Sequence, residues 1–150
     1  MGEYAIHQRI NTMIRDCNAL RQESLGIKES FERIGTIDHE RLRVLFDDTH
    51  TLRGFLRSFD KRVTALLERA SHHRSPPDKD RHASIPRHIR GKATRAHRGD
   101  LEADRELTKV LAILERLDHA DTKNVKRYLG MLNDEFIHLA TTLKHLKATV

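Results

Sequence analysis

The sequence is poor in the residues on which sheet proteins and disulfide-stabilised proteins depend. It has no tryptophan, three prolines and one cysteine, and aromatic residues make up only 5% of its 150 positions. The single cysteine, Cys17, cannot form an internal disulfide, and its spacing predicts a small core residue. With apolar residues at 37% and charged residues at 33%, the composition is typical of a bundle of long helices.

Long apolar runs are also missing. No stretch is apolar enough to cross a membrane, and no signal segment stands at the N-terminus. We therefore expect a cytoplasmic protein. Nucleotide-binding loops, nucleophile elbows and paired-carboxylate motifs do not occur either. The sequence therefore predicts neither an autonomous kinase nor a cofactor.

Apolar residues recur at alternating steps of three and four in four segments, which is the spacing of helices packed in a bundle. The predicted helices cover about residues 3–34, 38–74, 100–118 and 122–149, and together they are predicted to form a single domain. Gly35 is predicted to end the first helix, and Asp38 and Asp100 to cap the second and third. These features favour an all-α fold, an antiparallel four-helix bundle. The alternative is a helical hairpin that completes its core as a homodimer.

Residues 75–99, between the second and third predicted helices, lose the helical spacing and are rich in proline, serine, arginine and histidine. Residues 74–98 hold eight basic and two acidic side chains, so this segment accounts for the whole net charge of +6. It is predicted to be a flexible basic linker. Its charge suits an acidic partner, an anionic membrane or nucleic acid. Nucleic acid is disfavoured, because the segment has no aromatic residue to stack on bases.

The eleven histidines raise the question of a metal site. Metal sites in helical bundles use Glu-x-x-His and related pairs that face inward on several helices. Glu135 and His138 form the only Glu-x-x-His pair, and His138 lies off the apolar spacing. We therefore expect no buried metal site, and only adventitious binding by the histidines near residues 75–99.

His50, in the second predicted helix, is the residue with the clearest chemical potential. His50 directly follows a residue of the apolar spacing, so its side chain is predicted to face outward, with Gly54 one turn further on. A glycine in an exposed helix costs about 1 kcal/mol relative to alanine, so helix stability does not explain Gly54. Its lack of a side chain would let another protein approach the imidazole, which is a competent nucleophile near neutral pH. Arg53 could offer its guanidinium to an anion held there.

This stretch resembles the histidine phosphotransfer (HPt) domains, and more specifically the N-terminal phosphotransfer domain of the chemotaxis kinase CheA. That family has an Asp-x-Glu-x-Leu-x-x-x-Phe run, then His-x-Ile/Leu-Lys-Gly and a phenylalanine. The same order and spacing are kept here by Asp38, Glu40, Leu42, Phe46, His50, Leu52, Arg53, Gly54 and Phe59. The match covers about the first half of the chain. It implies that His50 is a phosphoacceptor, with Arg53 as the phosphate-side cation and Gly54 as the gap for a partner.

The resemblance implies a carrier in a two-component phosphorelay, which takes a phosphoryl group from a histidine kinase or a receiver domain and passes it to a receiver aspartate. The departures from the family pattern favour an alternative. Asp47 replaces an arginine, Phe55 replaces a small residue, and Arg69 and His72 replace a histidine and a glutamate that lie near the imidazole. The alternative is a non-catalytic helical adaptor or structural protein, including a degenerate HPt domain, that binds a partner protein. The resemblance also allows a break in the second helix near Asp60.

Overall fold

Four long antiparallel α-helices enclose one core. The structure, a computed structural model, describes the backbone of residues 3–72 and 87–150 and the side chains of residues 5–68 and 90–150. The helices are α1 (Glu3–Ile34), α2 (His39–His72), α3 (Arg87–Asp118) and α4 (Thr122–Thr149). α1 packs against α2 and α4, and α3 packs against the same two helices. The predicted all-α four-helix bundle is confirmed, and the described residues contain no strand.

The core consists of side chains at the predicted three-four spacing. Its largest fully enclosed members are Phe59, Phe136, Ile10, Met13, Ile27, Leu45, Leu56, Leu107, Leu114, Leu117, Leu129 and Leu132. Burial of each such side chain contributes about 1.5–3 kcal/mol, so aliphatic residues can stabilise the bundle with few aromatics. Cys17 is also fully buried, as predicted. Burial raises the pKa of its thiol to about 12, with a further contribution from the charge of Glu106, so the thiol stays protonated.

The short connections are formed by the residues that the sequence indicates. Gly35 ends α1 with φ at 83°, a left-handed conformation that favours glycine, and its N–H donates to the Phe31 carbonyl at 2.7 Å. Asp38 caps α2, because its Oδ1 accepts hydrogen bonds from the backbone N–H groups two and three residues on, both at 3.1 Å. Asp121 caps α4 in the same way. The hairpins α1–α2 and α3–α4 therefore have defined turns.

The third helix begins earlier than predicted. It starts at Arg87 rather than at Asp100. Residues 87–99, predicted as part of the flexible linker 75–99, are therefore helical, and the basic residues among them belong to α3. The other residues of the predicted linker, 75–86, lie outside the described residues.

The buried side of this helical segment is formed by small and polar residues, so it could not be recognised in the sequence. Ala93, Ala96 and Asp100 occupy its buried positions at three-four spacing. Alanine is only weakly apolar and aspartate is polar, so the sequence shows no apolar pattern there. A Cβ atom added at Gly99 would lie 2.6 Å from Cδ1 of Leu146. The close approach of α3 and α4 therefore depends on small residues.

α2 is continuous from His39 to His72, so the break near Asp60 that the resemblance allowed is absent. The Asp60 side chain reaches across to α3. Its Oδ1 lies 2.9 Å from Nδ1 of His97, and its carboxyl group also interacts with Asp100. Asp60 is thus a polar link between α2 and α3 within the packed seam.

Asp100 is a buried carboxyl group rather than a helix cap. The residue is 2% exposed. Burial raises the pKa of Asp100 to about 9, and Asp60 adds to the shift both as a hydrogen-bond partner and as a like charge. Apart from this interaction with Asp60, neither Asp100 oxygen has a hydrogen-bond partner among the described residues. Asp100 is therefore protonated and uncharged at neutral pH.

Replacement of Asp100 by asparagine should stabilise the protein increasingly as the pH rises. Between about pH 4 and pH 9 the unfolded chain releases this proton and the folded chain retains it, so wild-type stability falls across that range. The asparagine side chain is neutral in both states. At pH 8 the gain should be on the order of 2–4 kcal/mol in the free energy of unfolding, measured by urea denaturation. Asp134→Asn, at an exposed position, is the control, and a gain independent of pH would contradict the prediction.

Candidate functional site

His50 lies on the solvent side of α2, as the sequence predicts. Its neighbours Thr49 and Leu52 are 0% and 2% exposed, which directs His50 outward. The Thr49 hydroxyl is satisfied by donating to the Leu45 carbonyl at 2.7 Å. The imidazole lies edge-on against the Phe46 ring, with centroids 4.7 Å apart and planes at 74°. This contact restrains the ring while the residue remains exposed.

The His50 nitrogens are not committed to another side chain of the described residues. No hydrogen bond or ion pair joins them to any side chain within residues 5–68 and 90–150. Asp47, three residues earlier, is exposed and does not bond to the imidazole. The side chains of Arg69 and His72 lie outside the described ones. Within the described part of the chain, the ring nitrogens therefore remain available for chemistry.

Gly54 leaves space one turn from His50. It is exposed, and a Cβ atom added there would meet no heavy atom of the described residues within 4 Å beyond its own helical backbone and its chain neighbours. Packing within the described part of the chain therefore does not require glycine at this position. Gly130 on α4 is equally open, but the residue one turn before it is Lys126 rather than a histidine.

Arg53 and Arg57 converge on one carboxylate of α3. Nε of Arg53 lies 3.4 Å from Oδ1 of Asp104. Arg57 contacts both carboxylate oxygens, with Nε 3.0 Å from Oδ1 and Nη2 3.4 Å from Oδ2. The Arg53 and Asp104 side chains are only 23% and 29% exposed. The Arg53 guanidinium, which was expected to serve as the cation beside His50, is therefore already paired with Asp104.

A shallow cavity of about 250 Å³ adjoins this region between α2 and α3. Its lining includes the apolar side chains of Leu42, Phe46 and Leu114 and the exposed polar side chains of Arg43 and Glu115. Phe46 also contacts His50. A protein that docks on His50 would thus have an apolar depression within reach.

A second group of polar side chains, between α3 and α4, was not predicted. Glu106 is 2% exposed. Its Oε1 accepts a hydrogen bond from the Thr142 hydroxyl at 2.7 Å and lies 3.2 Å from Nε2 of His138. Burial raises the pKa of Glu106, and the Thr142 hydrogen bond and nearby His138 partly oppose the shift. The sequence reveals the Glu135–His138 pair on α4. It does not reveal that this pair faces a glutamate of α3, because that glutamate lies beside the apolar positions of its helix rather than at one of them.

Comparison with known proteins gives no functional assignment, so the function has to be inferred from the site. No protein-family model, curated protein or solved structure matches this chain. None of the described helices combines the length and the apolar character needed to cross a membrane.

Replacement of Gly54 by alanine should raise the free energy of unfolding by about 0.5–1 kcal/mol, because alanine has the higher helix propensity and its Cβ would meet open space. Urea denaturation followed by circular dichroism would measure the change. Gly99→Ala is the matched control and should give no such gain, because its Cβ would press on Leu146. A loss of stability in Gly54→Ala would show that position 54 is packed.

Proposed function

We propose that this protein is a histidine phosphotransfer protein of a two-component phosphorelay and carries a phosphoryl group on His50. The observation that carries the proposal is an exposed imidazole on a helical bundle, with no side chain at position 54 to obstruct a partner. The family-like order of residues from Asp38 to Phe59 supports it. The proposed location is the cytoplasm.

In the proposed reaction, a ring nitrogen of His50 attacks the phosphorus of a kinase phosphohistidine or a receiver phosphoaspartate. A P–N bond forms as the donor P–N or P–O bond breaks, and the donor imidazole or carboxylate leaves with the electron pair. A receiver aspartate then attacks the same phosphorus, and His50 is the leaving group. The receiver's metal ion offsets the charge of the transferred group. This chain therefore acts as a carrier and not as an autonomous enzyme.

Arg53 is proposed to steady the phosphoryl group. It lies three residues after His50, on a neighbouring position of the helix surface. Arg57 already contacts both oxygens of Asp104. Release of the longer contact between Arg53 and Asp104 would therefore leave Asp104 paired, and the freed guanidinium could meet the phosphoryl oxygens.

Replacement of His50 by glutamine should abolish phosphorylation and leave the helical content unchanged. The purified protein would be treated with a small phosphoramidate, followed by phosphorus NMR and by transfer to a receiver domain. His39→Gln is the control, because His39 is also an exposed histidine of α2, and this variant should retain transfer at the wild-type level. Transfer that persists in His50→Gln would contradict the proposal.

A second candidate function is a non-catalytic adaptor. It is favoured by the exposed Asp47 carboxylate, which lies one turn before His50 and would repel a phosphoryl group. No described side chain orients the imidazole through a hydrogen bond. In this case the outer side of α2 would bind a partner without carrying phosphate.

Receiver binding measured by calorimetry distinguishes the two functions. For an adaptor, His50→Gln should bind a receiver domain as tightly as the wild type, and neither protein should take up phosphate. Gly54→Arg, which fills the gap, should weaken binding at least about tenfold, equivalent to 1.4 kcal/mol. Wild-type binding by Gly54→Arg would exclude this side of α2 as the docking surface.

A further inference from the structure

Three side chains at the seam between α3 and α4 converge as a set of metal ligands would. Glu102 and Glu106 lie one turn apart on α3, and His138 faces them from α4. Each offers one ligand atom, and all three atoms lie within 4.8 Å of one another. The set combines an imidazole nitrogen with carboxylate oxygens, and it is separate from the residues around His50 on α2.

The spacing of two of these atoms matches that of ligands around a small cation. Nε2 of His138 lies 3.2 Å from Oε1 of Glu106. In a tetrahedral zinc site, bonds of 2.0–2.1 Å place neighbouring ligand atoms about 3.3 Å apart. A cation could therefore bind both atoms with little movement of either helix.

The second observation is an unpartnered oxygen on a buried side chain. Glu106 is 2% exposed, and its Oε2 has no hydrogen-bond partner among the residues that the structure describes. A buried carboxylate oxygen without a partner is costly. The contact with His138 and the Thr142 hydrogen bond are both made through Oε1. A cation bound beside Oε1 would lie close to Oε2 of the same carboxylate and would compensate both oxygens.

The surrounding residues hold the ligands in suitable orientations. The Thr142 hydroxyl donates to Oε1 of Glu106 at 2.7 Å, which restrains the carboxylate. Oε1 of Glu135 lies 3.9 Å from Nδ1 of His138, beyond hydrogen-bond distance, and has no hydrogen-bond partner among the described residues. Histidine ligands in metal sites usually have a carboxylate or carbonyl at the second ring nitrogen. A small rotation of the Glu135 side chain would bring its carboxylate into that role.

We propose that Glu102, Glu106 and His138 bind one divalent transition-metal ion of the zinc type. One imidazole with two carboxylates suits Zn²⁺, Mn²⁺ or Fe²⁺ better than Ca²⁺ or Mg²⁺, which prefer all-oxygen sites. Glu102 and His138 are exposed, so the ion would enter from solvent and bridge α3 to α4. Three protein ligands leave a coordination position for water.

Zn²⁺ and Co²⁺ titrations of the full-length protein would test the site. Calorimetry should show one specific Zn²⁺ equivalent, and Co²⁺ should give visible absorption bands that Zn²⁺ removes by competition. Loss of a residue that merely positions a ligand costs about 10–100-fold in affinity. Glu106→Gln and His138→Ala, which remove ligands, should each cost at least that much, and Glu135→Gln about tenfold.

Two controls separate this site from incidental binding by the other histidines. His119→Ala and Glu115→Gln alter exposed residues outside the cluster, and both should bind Zn²⁺ like the wild type. Glu106→Gln is nearly isosteric, so circular dichroism should show the wild-type fold. Absence of a specific Zn²⁺ equivalent in the wild type would overturn the proposal, as would wild-type affinity in Glu106→Gln. Either result would leave the phosphotransfer proposal for His50 unaffected.

Discussion

Each helix of the bundle can bury only one side, and the rest of the structure depends on this constraint. On α2, burial of Leu45, Thr49 and Leu52 turns His50 toward solvent. On α3, the same constraint carries Glu106 into the interior, next to the buried Leu107. The helical spacing decides which positions face the core and which face solvent. It therefore exposes the imidazole of α2 and buries the carboxylate of α3.

The buried carboxyl groups are costly, and their neighbours reduce the cost in different ways. Asp100 remains protonated beside Asp60, whereas Glu106 accepts a hydrogen bond from Thr142 and faces His138. Burial of a charge without such partners would cost several kcal/mol. A slip of one helical turn, about 5.4 Å, would separate both groups from their partners. These contacts therefore select the register of α3 against its two neighbours, in addition to apolar packing.

The sequence predicts the parts of this fold in which large apolar residues mark the buried side. It therefore placed α1, α2 and α4 closely, together with the outward direction of His50 and the cap at Asp38. It failed from Arg87 to Gly99, because Ala93 and Ala96 carry too little apolar surface to reveal a helix. The continuity of α2 was not decided by the sequence either, because the apolar spacing runs on past Asp60 whereas the family resemblance allows a break there.

The clusters between helices were beyond local pattern for a different reason. Asp104 is 51 residues from Arg53 along the chain, and no local spacing connects the two. The electrostatic surroundings of His50 thus belong to two helices, with a carboxylate of α3 competing for the arginines of α2. A sequence pattern restricted to α2 would include the two arginines but not the carboxylate of α3. Among homologous chains, positions 53, 57 and 104 should consequently vary together, so that loss of the acid accompanies loss of an arginine.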